Sequence, residues 1–356
     1  MTTVRRILDL YGRDSLSPAD FAQLAAGIDF ERTPFNVDIA MARLAARFPD
    51  AAEGHPLFPR LQGLERKLLV QDAWQWSHAV PHLRRLQEAG VGTRIFGDAS
   101  LWLGDLKDRP RKMAGIQACV PDVRQARRLL GSRTVRGKDD AHLALQDRLF
   151  PVHTLREEPC EGFVPCRDAS GLEVSLPGTE LQFLLLCANH LNGITGDGFR
   201  DSCLQWMMDA VDIVRDNPGF DGQRLAALAA AYAQLGTLLD ALELLRQAVP
   251  GRFAPFFPFG YAPTPAETVS ARRRQRFLDL DRRCREHAYR GKPFPFLHRL
   301  AYRLRCNHYD LARYYPEASH AAILLRAPGY YFRKYLSGPL SAKGKDAARQ
   351  RGTGAE

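Results

Sequence analysis

Residues Val91 to Pro121 read VGTRIFGDASLWLGDLKDRPRKMAGIQACVP, and the fold turns on them. Thr93 to Phe96 is a short strand-like run ending at Gly97, and Ala99 to Leu103 is small and apolar enough to open a helix. Asp105 to Lys112 is a charged loop, after which Gly115 to Val120 is strand-like until Pro121 stops it. Strand, tight turn, short helix, basic loop and strand in succession predict an α/β or α+β unit.

Working outward, Asp122 caps a helix over Val123 to Leu130 that Gly131 ends. Segments near Ala141 to Leu145 and Leu149 to Leu155 complete the sheet, Glu157 to Asp168 reads as loop, and Gly171 to Ser175 is a last strand. Upstream, Leu64, Leu68, Trp74, His78, Leu83 and Leu86 recur at helical spacing over Leu64 to Ala89, and Gly90 with Gly92 supplies the stop.

Nearer the N-terminus, Ser17-Pro18 opens a helix with proline just inside it. Asn36 is placed to cap another helix, and Ala51 to Pro59 is a turn or linker. After the sheet, Pro177 to His190 turns helical, and Asp221 to Val249 continues as two helices with Gly236 at the turn between them. Arg252 to Pro265, rich in aromatics and proline, is a wrapping loop.

The chain thus divides into an N-terminal helical extension (1–60), an α/β core (61–176) and a helical domain (177–250). An aromatic and basic helical region (251–336) and a disordered tail (337–356) follow.

The central stretch resembles the uncharacterised bacterial nucleotidyltransferase family, a distant branch of the polymerase-beta-type nucleotidyltransferase fold. That family has a strand ending in Lys-Gly, a small-residue helix start, then Arg-Pro-Met-x-Asp-Ile-Asp, an apolar strand and Pro. The counterparts here are Phe96-Gly97-Asp98-Ala99 and Arg111-Lys112-Met113-Ala114-Gly115-Ile116-Gln117 through Pro121. Further on, Leu184 to His190 and Leu204-Gln205-Trp206-Met207-Met208-Asp209 match the family's two helical patterns.

The resemblance implies a small mixed nucleotidyltransferase-like sheet followed by a helical domain, with Gly97, Asp98, Ser100 and Arg111 beside the nucleotide. It also implies acids at two alternate strand positions, which point the same way and share divalent cations. Those positions are Gly115 and Gln117, and Pro151 stands where a third acid belongs. Glycine offers no ligand and glutamine only a neutral oxygen. The sequence therefore reads as a catalytically degenerate member that binds a nucleoside triphosphate or a protein partner from a biosynthetic pathway, with no metal or other cofactor required. The alternative is an active nucleotidyltransferase using magnesium and non-standard carboxylates, with Asp98 the first substitute and Asp105 and Asp108 behind it.

The 356 residues carry a net charge of +10. Much of the excess lies in a basic helix over 272–285, where Arg272, Arg273, Arg274, Arg276, Arg282, Arg283 and Arg285 crowd together, and a nucleic-acid-binding protein is a third reading. The seven cysteines are odd in number and mostly in apolar or helical contexts, which argues against a disulfide scaffold. His153, Cys160 and Cys166 lack a paired Cys-x-x-Cys and a fourth ligand for zinc. No signal peptide or transmembrane segment is legible, so the cytoplasm is the expected compartment.

Overall fold

A computed structural model describes residues 3–107, 109–113, 115–131, 143–146, 149, 162–191, 201–232, 234–249 and 253, all within the unit Met1–Tyr261. Pro151, Asp108, the expected strand over 149–155 apart from Leu149, the loop over 252–265 apart from Phe253, the basic helix over 272–285 and the C-terminal tail lie outside the described residues, as do the side chains of 189–191.

Four helices come first: α1 (Thr3–Gly12), α2 (Pro18–Ala26), α3 (Phe35–Arg47) and the single turn α4 (Pro49–Ala52). Ser17 caps α2 by accepting the Asp20 N–H, with Pro18 at the first helical position, as the sequence predicts. Asn36 does not cap α3. The helix starts two residues earlier than such a cap implies, at Phe35, with Pro34 in the cap position. The expected linker shrinks because α4 occupies Pro49–Ala52 and the long helix α5 (Phe58–Glu88) begins with Pro59 inside its first turn.

The sheet follows, built from β1 (Arg94–Phe96), β2 (Ile116–Cys119), β3 (Leu143–Gln146), β4 (Phe163–Arg167) and β5 (Glu173–Pro177) in the order β3-β2-β1-β5-β4. Strand β1 runs antiparallel to β2, with Phe96 opposite Gln117, and parallel to β5. Strands β2 and β3 are parallel, and β4 and β5 antiparallel. The sheet is therefore mixed. β4 falls where the sequence predicts loop. It is an edge strand containing Pro165, and an edge is where a missing N–H costs no ladder bond.

Between β1 and β2 lies α6 (Asp98–Leu103), and between β2 and β3 lies α7 (Val123–Leu130), capped by Asp122 accepting the Arg124 and Gln125 N–H groups. Beyond the sheet come α8 (Thr179–Leu191), α9 (Asp201–Asp216), α10 (Gly222–Ala231) and α11 (Leu235–Ala248). Gly236 lies inside α11 (Leu235–Ala248) and so does not mark the turn between the last two helices.

Period-two alternation gives the sheet two apolar faces. Ile95, Ile116, Ala118, Leu143, Leu145, Val174 and Leu176 pack with Leu83 and Leu86 of α5 and Ala126 and Leu130 of α7. Phe96 and Cys119 belong instead to the larger cluster formed by α1, α3 and α8 to α11. Helix α9 lies in the middle of that second layer, against α1, α3 and α8. No helix among the described residues is long and apolar enough to cross a membrane.

Candidate functional site

The chain turns from β1 into α6 at Gly97, whose φ of 68° favours glycine. A Cβ there would lie 3.1 Å from Gln117 Oε1, so the glutamine across the β1–β2 pair fills the space beside the turn. Gly97→Ala is expected to lose about 1–2 kcal/mol of stability from the backbone conformation alone. Urea unfolding of the variant measures this, and a loss near zero would mean the turn adapts.

Gly115 has φ 140° and precedes β2, which begins at Ile116. The sequence predicts strand from Gly115 onward, with positions 115 and 117 side by side on one face. Only Gln117 is on the strand, because the backbone at 115 takes a conformation that L side chains rarely adopt. An acid introduced at 115 therefore enters a strained residue, so Gly115→Asp with Gln117→Asp is expected to lower thermal stability rather than create a working metal pair. A stable double variant that binds magnesium in calorimetry would contradict this.

The side chains expected beside a nucleotide are inward-facing and occupied. Ser100 Oγ donates to Gln182 Oε1 of α8 at 2.6 Å, with the Gly97 carbonyl 2.9 Å away. Arg111 is fully buried. Its Nη1 donates to the Asp98 carbonyl at 2.7 Å, and its Nη2 reaches Asp98 Oδ1 at 2.8 Å and Asp209 Oδ2 at 2.9 Å. The candidate substitute acid is thus the ion-pair partner of the candidate phosphate ligand.

That pair continues inward. Arg43 of α3 bridges Asp209 Oδ1 at 2.5 Å and Asp212 Oδ2 at 2.7 Å, all three side chains fully buried. Arg215 pairs with Asp212 Oδ1 at 2.9 Å, and the Tyr11 hydroxyl donates to Asp212 Oδ2 at 2.6 Å. Burial together with the neighbouring Asp212 keeps the Tyr11 phenol protonated. Burial works against the charge of Arg43, but Asp209 and Asp212 outweigh it and hold the guanidinium charged. Asp209 joins α9 both to α3, through Arg43, and to the loop ahead of β2, through Arg111.

The backbone of that loop is clipped on both sides. From α9, Gln205 accepts the Lys112 N–H at 3.1 Å and donates to the Lys112 carbonyl at 3.2 Å. From α5, Asp72 Oδ1 accepts the Met113 N–H at 3.2 Å and Gln75 Nε2 donates to the Met113 carbonyl at 3.2 Å. The second Asp72 oxygen is buried with no hydrogen-bond partner among the described residues. Burial pushes the Asp72 carboxyl up to about 6 against the opposing pull of the Met113 N–H and of Arg111.

Sequence reasoning missed Asp72, since a carboxylate on the buried stripe of α5 breaks the apolar pattern. The buried positions are Leu61, Leu68, Asp72, Trp76, Ala79, Leu83 and Leu86, whereas Trp74 and His78 stack on each other in the open at 4.1 Å. Asp105 faces the start of α8, where the Thr179 hydroxyl donates to it at 3.3 Å, and burial raises its carboxyl. It does not join Asp98. Of the cysteines, Cys119, Cys187 and Cys203 are buried thiols and Cys166 is half-buried.

Comparison with protein-family models, with curated proteins and with solved structures finds no match. The nucleotidyltransferase resemblance rests on the residues quoted for it.

Proposed function

We propose that the chain has a nucleotidyltransferase-like fold, with the helices after residue 177 as its companion domain, and that it works by binding a nucleotide or a protein partner rather than by nucleotidyl transfer. One observation carries the case against nucleotidyl transfer: the Arg111 guanidinium is buried and already bound by Asp98 and Asp209. An arginine held this way does not meet a triphosphate without breaking two ion pairs, and an aspartate neutralised this way is a poor cation ligand. The former cleft becomes a joint that locks the sheet to α3 and α9.

A second reading keeps the enzyme active with non-standard carboxylates, magnesium and a nucleoside triphosphate. The Asp72 oxygen that is buried with no hydrogen-bond partner among the described residues favours it, since Asp72 lies close enough to Asp98 and Arg111 to feel their charge. Pyrophosphate release from each of ATP, CTP, GTP and UTP, with magnesium or manganese, separates the two. The binding reading expects no release above the protein-free background. Release that needs the metal and disappears in Asp72→Asn or Asp98→Asn establishes the second.

A further inference from the structure

Helix α7, Val123–Leu130, carries arginines at 124, 127 and 128, all exposed. Spacings of three and four residues put them on one side of the helix, where like charges repel each other. Arg127 and Arg128 in the last turn suit the negative end of the helix dipole, but Arg124 sits in the first turn, where a cation is disfavoured. None of the three makes an ion pair among the described residues. The nearest acid in sequence, Asp122, spends its carboxylate on the helix cap. Arg85 of α5 adds a fourth guanidinium beside the same helix by donating to the Leu129 carbonyl at 3.0 Å, with Glu88 one turn further along α5. This stripe works against the stability of its own helix, and an external polyanion would relieve it.

The apolar residues of α7 decide between polyanions. Ala126 and Leu130 are buried, and Val123 and Leu129 pack onto the sheet cluster, so no apolar side chain of the helix is left to enter a bilayer. We propose that the outer face of α7, with Arg85, binds the phosphodiester backbone of a nucleic acid. This surface is independent of the cleft around Gly97 and of whatever that cleft does.

The test is fluorescence anisotropy of the full chain with a labelled single-stranded RNA and a labelled duplex DNA of about 20 nucleotides or base pairs, between about 50 and 200 mM salt. The expected result is binding that weakens steeply with salt. In R124E/R127E/R128E the affinity falls at least about tenfold, and the salt slope on duplex drops by about 2–3, since each phosphate contact contributes about 0.9. Far-UV circular dichroism checks the fold. If the reversal unfolds the protein, R124Q/R127Q/R128Q serves, with a smaller loss expected. RNA and DNA arms tell the source of the phosphates. No binding, binding unchanged in the α7 variants, loss confined to R272E/R273E/R274E, or tighter binding to phosphatidylserine vesicles than to either nucleic acid would each overturn the proposal.

Discussion

Arg43→Met is expected to cost about 3–5 kcal/mol of unfolding free energy, the range for removing one partner of a buried ion pair. The cost comes less from the attraction lost than from what is left behind. Asp209 and Asp212 stay fully buried after their shared cation has gone, and Asp209 then depends on Arg111 alone while Asp212 keeps Arg215 and the Tyr11 hydroxyl. Urea unfolding at neutral pH measures it, with the midpoint falling and the slope unchanged if the folded state keeps its extent. Adding Asp209→Asn to Arg43→Met should cost less than Asp209→Asn costs in the wild-type background, because both changes act on one network. A single-variant loss below about 1 kcal/mol would place the pair among contacts of little net worth.

Asp72→Asn is expected to stabilise the protein, and to do so only above acid pH. The folded-state carboxyl is pushed up to about 6 from an ordinary 3.8. A raised carboxyl contributes stability that is present below the unfolded value and lost as pH rises through the folded one. The wild type therefore carries a buried charge at pH 7 that costs about 3 kcal/mol, at 1.36 kcal/mol for each pH unit between the two values. Asparagine keeps an oxygen for the Met113 N–H and replaces the unpartnered oxygen with a neutral amide. The variant should gain up to that amount at pH 7 and almost nothing near pH 3, below the unfolded value, read as the difference in urea midpoint between the two proteins across this range. A difference that does not change with pH would mean that Asp72 does not titrate there.

How far the sequence led depends on the range over which each signal acts. Local signals were sufficient for Ser17 and Asp122, because a cap is decided by a side chain and the next three N–H groups. They also sufficed for the strand–helix–strand order around Gly97, but not for the antiparallel pairing of β1 with β2, since a helix between two strands ordinarily joins parallel ones; the mixed sheet was an implication of the family resemblance. Strand β4 escaped because an edge strand with none of its five residues buried shows no alternation of buried and exposed positions, and Pro165 reads as loop. The site was legible in its residues but not in its state. Arg111, Asp98 and Asp209 stand out through the family resemblance, Arg111 within a charged loop, yet partners 98 positions apart in the chain leave no spacing to read. Asp72 was lost for the opposite reason: it sits on the buried stripe of α5, where an apolar pattern discards it.

Occupation of the Arg111 guanidinium from within is tested most directly by titration calorimetry of the full chain with ATP, CTP, GTP and UTP, each with and without magnesium. The predicted result is the same heat with and without the metal for all four nucleotides, whether that heat reports weak binding or none. Tight binding that requires magnesium would contradict it, and would mean that Asp98 leaves Arg111 to hold a cation.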